Sequence, residues 1–344
     1  MRYDSNNQSA KPISSIGTMF RNIAIAMAGV GRRNITSNAN GVATNRHDPS
    51  GFALYGRGKM KYGNWIAAAT TLLLSGFYHA ASANPVVEII DAASWDLPIG
   101  ETVNIFLQRG WYQSSGTRYN ANGTAISGPS TTEYIGLPSF AHFFFYDALP
   151  KVEFYWEVFQ PAVDVEPPGN AQSVSGLGDP LINFSAYVRP IPNFLLGLEN
   201  LTSIPVGNSN LTSHRFENYP HIIADYKIGK LGFDGTFGTG IFSKQHNGNA
   251  SVKSGNLYFA ETSVRYRLNP TFEPFITNTY QTQNSGTALL NNTYIPRNHQ
   301  DDFGGGTKIN FSHKRWISFW YYRTIDGKNI GETNAVYFRF VNIF

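Results

Sequence analysis

From Glu101 onward the side chains of this chain change character at every residue, and no stretch carries the three-to-four-residue apolar spacing of an amphipathic helix. Tyr258, Ala260, Thr262, Val264, Tyr266 and Leu268 fall on one face of a segment whose other face holds Phe259, Glu261, Ser263, Arg265 and Arg267. Leu231, Phe233, Gly235, Phe237, Thr239 and Ile241 alternate with Gly232, Asp234, Thr236, Gly238 and Gly240, leaving the second face nearly bare of bulk. Phe303, Gly305, Thr307, Ile309 and Phe311 alternate with Asp302, Gly304, Gly306, Lys308 and Asn310. A period of two dictates strands with one apolar and one polar face. A soluble sandwich meets that requirement by turning the apolar face to a dry core, so alternation alone does not choose between sandwich and membrane barrel.

The connections choose. Short links at 147–151, 190–193, 228–230, 269–270 and 312–314 alternate with longer polar ones at 114–130, 161–178, 207–217, 243–255, 284–300 and 326–332. Outer-membrane barrels sort their connections this way, with short periplasmic turns and long external loops, whereas a sandwich has no reason to. The pattern predicts an all-β fold, a transmembrane antiparallel β-barrel of about twelve strands of the bacterial outer-membrane type. Its strands start near residues 102, 132, 152, 179, 194, 217, 231, 256, 271, 301, 315 and 333. An even count leaves both termini in the periplasm. Phe143, Phe144 and Phe145, and the run 316–322, place aromatics on both faces and suit an interfacial girdle.

Composition agrees. Charged residues make up 15% of the chain, against about 25% in a soluble domain, so something other than a charged surface covers it. A mean hydropathy of -0.26 excludes a helical membrane protein, which needs apolar runs of roughly 20 residues. The formal charge of +4 misleads, because the first 83 residues hold nine of the 27 Lys and Arg and only Asp4 and Asp48 among the 23 acids. The remainder carries 18 basic against 21 acidic residues, which argues against a nucleic-acid partner. With no cysteine, neither a disulfide framework nor a thiolate metal site is available.

Arg57, Lys59 and Lys61 precede an apolar stretch, 65–74, that is followed by Ala81-Ser82-Ala83. This is the layout of a cleavable secretory signal, too short to span a bilayer. Residues 60–83 are therefore read as the signal peptide, with Met60 as the expected start, and 1–59 as a disordered upstream extension outside the working protein. In the segment 84–100, Asn84 and Pro85 suit the cap and first turn of a short helix through Ser94. The barrel then occupies 101–344.

The chain ends on an alternating strand, 336–344, that finishes in Phe344. This resembles the C-terminal signal by which barrel-insertion machinery recognises its clients; Phe338, Phe340 and Phe344 match it and Asn342 departs from it. Further residues resemble the outer-membrane proteins of the MetA-pathway of phenol degradation family. Gly176-Leu177-Gly178-Asp179 opens a strand after a long loop, and Leu97-Pro98-Ile99-Gly100-Glu101 precedes the first strand. Ile204-Pro205-Val206-Gly207 ends a strand, with Val206 where the family has Thr, and Asn329-Ile330-Gly331 precedes the last one. These are turn and strand-end devices. The resemblance implies a channel for small hydrophobic or aromatic compounds, with outer-membrane lipid as its surroundings, and brings no binding residues with it.

Twelve strands lie between the filled interior of an eight-stranded barrel and the open pore of a sixteen-stranded one, so a narrow path is expected. Its inward candidates are Glu153, Tyr155, Glu157, Arg189, Glu199, Asp225, Lys227, Glu261, Arg265, Arg267 and Lys308. They either pair with one another inside a wet barrel or form a selectivity constriction. The rivals are a lipid-hydrolysing barrel enzyme, for which Ser139 with His142 and Ser213 with His214 are available, an autotransporter translocator, and a structural or adhesive barrel. The Ser–His pairs lack a recognisable motif, and only 17 residues, 84–100, could serve as a passenger. No catalytic residue is expected. No phosphate loop, nucleotide fingerprint or metal-ligand spacing is present, so no cofactor or metal is expected either.

Overall fold

The computed structural model describes residues 101–344 except 150, 170, 248–249 and 289–292. The upstream extension, the signal sequence and the segment 84–100 lie outside the described residues. Twelve strands build the wall: β1 (Val103–Tyr119), β2 (Ala125–Phe145), β3 (Val152–Phe159), β4 (Leu181–Ile191), β5 (Phe194–Ser203), β6 (Glu217–Ile228), β7 (Leu231–Phe242), β8 (Leu257–Tyr266), β9 (Phe272–Gln283), β10 (Asn298–Ser312), β11 (Arg315–Lys328) and β12 (Asn334–Ile343). Each pairs antiparallel with its neighbours in sequence. β12 also pairs with β1, from Ile343 opposite Ile105 to Asn334 opposite Ser114. That last ladder closes the barrel and removes the free edges that an open sheet would have to protect.

Eleven of the twelve strands begin within three residues of the sequence expectation. β2 is the exception, starting at Ala125. The polar segment between β1 and β2 is a hairpin that continues the wall, with Tyr119 opposite Ala125. Asn120 Oδ1 accepts from the backbone N–H groups of Asn122 (2.8 Å) and Thr124 (3.0 Å), and Gly123 supplies the left-handed φ of 78°. Ser, Thr and Asn looked like loop because above a membrane both faces of a strand meet water. At about 3.4 Å per residue, the 17 residues of β1 far exceed the roughly 25 Å apolar band of a barrel, so its upper part must project.

Other long connections also carry strands. Ala162–Glu166 and Val174–Leu177 form a hairpin that extends the wall alongside β2. Gln245–Asn247, Ala250–Lys253, Gly286–Ala288 and Thr293–Ile295 form a separate four-stranded sheet. All the long connections leave from one end of the barrel. The short turns, the start of β1 and the end of β12 lie at the other.

The outward face is apolar, with Phe184, Leu198, Ile222, Phe237, Ile276 and Val336 all exposed. The inward face is filled rather than open. The glycines of β7 that looked like bare lumen are spaces occupied by larger neighbours: a Cβ on Gly232 would meet Arg265 Nε at 2.7 Å, and one on Gly238 would meet His221 Cβ and Phe259 Cζ at 2.5 Å. Gly238→Val is expected to cost about 1–3 kcal/mol by overpacking, read as a lower urea midpoint in refolding micelles. The aromatic runs also divide differently from a simple girdle. Phe319 and Tyr321 face outward, but Phe143, Trp316, Trp320 and Tyr322 turn into the lumen. Strand alternation forces that split, since neighbouring residues cannot share a face.

Candidate functional site

The lumen holds most of the buried polar side chains, organised as local networks. Near mid-height Arg109 Nη1 donates to Glu157 Oε1 at 2.8 Å and to Ser139 Oγ at 3.0 Å, while Tyr155 donates to the other oxygen of Glu157. The guanidinium also lies over the Phe159 ring, 5.0 Å from its centroid. Two strands further round the wall, Glu199 accepts from Asn183 Nδ2 (2.8 Å) and from the Tyr187 hydroxyl, with His221 Nε2 3.1 Å away. His221 Nδ1 donates to the Tyr219 carbonyl at 2.8 Å. Nε2 must therefore either donate to Glu199 as an imidazolium or accept a proton that the carboxyl carries.

Toward the short-turn end Arg265 joins four successive strands. It binds Asp234 through Nε (2.8 Å) and Nη2 (3.1 Å), Asp225 through Nη2 (2.6 Å) and Glu273 through Nη1 (3.2 Å). Lys227 Nζ lies 3.7 Å from Asp225 and Arg267 Nε 3.3 Å from Glu273. Lys308 lies over the Trp316 ring at 4.6 Å, and Arg189 reaches Glu153 at 3.3 Å. Glu261 accepts from the Tyr322 hydroxyl at 3.4 Å.

Of the eleven inward candidates, Glu153, Tyr155, Glu157, Glu199, Asp225, Glu261, Arg265 and Lys308 are buried. Arg189 and Lys227 are partly so. Arg267 differs: just past the end of β8, its side chain is 51% exposed, because the wall that would cover it has ended. The structure adds Arg109, His221, Asp234, Glu273 and Asp302, each in the inward phase of its strand. Asp234 and Asp302 stood on the polar faces already identified by alternation. Arg109 and Glu273 sit in strands where the polar face also carries Leu107 and Phe275, which obscured it.

Two of the family-like segments, 176–179 and 204–207, meet at the long-loop end. Asp179, itself buried, accepts from the Gly207 N–H (2.9 Å), the Ser213 N–H (2.7 Å) and the Ser213 hydroxyl (2.9 Å). Leu177 N–H donates to Asn208 Oδ1 and Asn208 N–H to the Leu177 carbonyl, both at 2.8 Å. A Cβ on Gly207 would stand 2.6 Å from the Gly178 backbone, so only glycine allows this approach. The two motifs are therefore halves of one latch holding 207–213 to the start of β4. Asp179→Ala orphans two backbone N–H groups at a cost of about 1–3 kcal/mol each where they stay buried. The expected result is faster proteolysis within 207–213 while the barrel keeps its folded gel mobility.

Neither Ser–His pair is a catalytic dyad in this structure. Ser139 faces the lumen, whereas His142 lies on the other face of β2, where its Nδ1 is 2.9 Å from Asn104 Oδ1. Ser213 Oγ lies 2.9 Å from both Asp179 Oδ2 and the Arg215 carbonyl, which share its one hydroxyl proton, and His214 Nε2 lies 3.1 Å from the Ser209 carbonyl. Among the described residues no group of three or more His, Asp or Glu could hold a metal ion.

The sequence profile described as "Putative MetA-pathway of phenol degradation" matches residues 115–340. The chain belongs to this family. The match takes in the latch, the Arg265 cluster and all but the first part of β1 and the last residues of β12. Among solved structures, the COG4313 outer membrane channel from Pseudomonas putida F1 is similar at TM-score 0.67 and 19% identity, covering 74% of this chain and 100% of its own. The family chain thus shares the fold of an outer-membrane barrel. The β domain of the Bordetella autotransporter BrkA is similar at TM-score 0.44 and 8% identity, covering 71% and 100% of the two chains. The translocator domain of NalP from Neisseria meningitidis scores 0.43 at 9% identity, covering 81% and 97%. No curated protein sequence matches the chain.

Proposed function

We propose that this protein is an outer-membrane channel through which small apolar or aromatic compounds pass passively. The observation that carries this is the make-up of the lumen wall. Leu137, Phe159, Leu201, Ile223 and Phe259, all essentially fully buried, face inward between the polar networks. Trp111, Trp320 and Tyr337 add stacked rings, with centroids 5.7 Å and 5.2 Å apart. Porin interiors are polar because they hold water. A lumen with an apolar track disfavours a continuous water column and offers an apolar solute a better environment than water does. Family membership and the similarity to a protein described as a channel support the same reading.

The short-turn end is then periplasmic, with both termini there, and the long loops face outside. Insertion would use the C-terminal strand, whose outward face carries Val336, Phe338, Phe340 and Phe344. Asn342, the departure from the usual signal, shares that face and accepts from Arg315 Nε at 2.6 Å. We assign no catalytic activity, since each Ser and His of the two pairs is engaged elsewhere.

Neutral aromatics cross phospholipid unaided, so the test needs vesicles with a lipopolysaccharide outer leaflet. Labelled naphthalene and toluene are expected to enter faster with the protein than without it, and a disaccharide is not. Phe259→Ala, which widens the apolar track, is expected to raise the aromatic flux. No flux above protein-free vesicles for either aromatic would sink the channel reading.

A further inference from the structure

The polar groups of the lumen are not evenly compensated. Arg109 is matched by Glu157, Arg265 by three carboxylates, and Arg215 at the long-loop end by Glu217 at 2.7 Å. Glu133 is the exception among the acids. It stands in the inward phase of β2, two residues above Ile135 and four above Leu137, and is only 7% exposed. Among the described residues no hydrogen bond or ion pair reaches its carboxylate, yet its oxygens still touch open space. A carboxylate withdrawn from water without a counter-charge costs stability, and either a proton or a bound cation relieves that cost.

The surroundings specify what would. Across the β1–β2 ladder Gln113 lies opposite Glu133 and Trp111 opposite Ile135, so Trp111 is the diagonal inward neighbour one step deeper. Its ring stacks on Tyr337, and its buried indole N–H has no acceptor among the described residues. Asp302, also inward near the long-loop end, is held by the neutral amide of Gln300 at 3.1 and 3.0 Å. A solute entering from the loops therefore meets acids first and an aromatic stack next.

Resting on the channel reading above, we propose that Glu133 recognises the ammonium head of small aromatic amines, whose ring is taken up beside Trp111. An ammonium brings three donors and a full charge to a carboxylate that lacks both. The aromatic faces below favour a cation as well. A carboxylate-headed solute meets like charge at Glu133 and Asp302, while Arg109, Arg215 and Arg265 are each already paired with carboxylates. The entrance thus sorts solutes by head group, and the apolar track deeper in sorts them by ring.

Three ligands with the same ring separate these effects: phenethylamine, 2-phenylethanol and phenylacetate, titrated calorimetrically into the purified full-length protein. The amine is expected to bind roughly tenfold or more tightly than phenylacetate, a difference of about 1.4 kcal/mol or more, with the alcohol between them. Glu133→Gln, checked for folding by gel mobility, is expected to bring the amine down to the alcohol's affinity and leave the alcohol unchanged. In planar bilayers under a KCl gradient the wild type is expected to be cation-selective and the variant less so. Equal binding of the three heads, or an amine preference that survives Glu133→Gln, would overturn the proposal. If the alcohol binds and passes but the amine gains nothing, only the head-group assignment fails. If none of the three binds or passes, the channel reading fails with it.

Discussion

Replacing Arg265 by Met is expected to lower the stability of the barrel by about 3–5 kcal/mol, the usual cost of breaking a buried ion pair by removing one partner. The value belongs at the upper end because one guanidinium answers three carboxylates. Asp225, Asp234 and Glu273 come from β6, β7 and β9, and each side chain is at least as buried as that of Arg265 itself. Little solvent screens the charges left behind. Arg265→Lys is expected to recover only part of the loss, since one ammonium cannot engage Asp234 side-on while also reaching Asp225 and Glu273. Urea unfolding in micelles, followed by tryptophan fluorescence, measures both variants. A midpoint for Arg265→Met equal to the wild type would show that the cluster contributes nothing. Lys227 and Arg267 stand at the rim of the cluster, and Arg267 is half exposed, so its loss is expected to cost well under 1 kcal/mol.

The same cluster shows what alternation can and cannot disclose. Arg265 and Asp225 were assigned to the lumen from strand phase alone, and phase sufficed because a strand's side-chain period is fixed at two. Strand phase says nothing about height along the barrel axis. Whether Arg265 meets Asp225, Asp234 or Glu273 depends on the stagger between strands, which the ladders set: Asp225 opposite Asp234, and Arg265 opposite Gly232 on one side and Phe275 on the other. The glycine opposite is what leaves room for the guanidinium to reach past β7. Sequence showed Gly232 as an absence of bulk; only the register shows whose bulk it accommodates.

The long connections conceal their strands for a related reason. The segments 114–130 and 161–178 contain paired strands, because above the membrane the outward face no longer needs to be apolar and the alternation that marks a strand disappears. Asp179 and Gly207 were legible as a strand opening and a strand ending. Their mutual contact was not, since 28 residues separate the hydrogen-bonded pair. Glu133 is not legible in the sequence, because a strand starting near 132 leaves it at the very edge of the alternating stretch. Its inward placement follows from the observed start at Ala125.

At mid-lumen, Glu157→Leu and Arg109→Met are each expected to cost about 3–5 kcal/mol singly. Glu157→Leu strands a guanidinium beneath Phe159 together with the hydroxyls of Ser139 and Tyr155; Arg109→Met strands the carboxylate. The double variant replaces the pair with apolar groups of similar volume. Here it is expected to recover most of the loss, because Leu107 and Leu137 already make that stretch of wall apolar. A double-mutant cycle on urea midpoints would then give a coupling of about 3 kcal/mol or more between the two positions. Losses that simply add would mean that the side chains are not coupled. If the double variant is as stable as the wild type but lets disaccharides through, the ion pair closes the lumen to water rather than holding the wall together. If it is stable and still excludes them, the aromatic and aliphatic side chains alone set the bore.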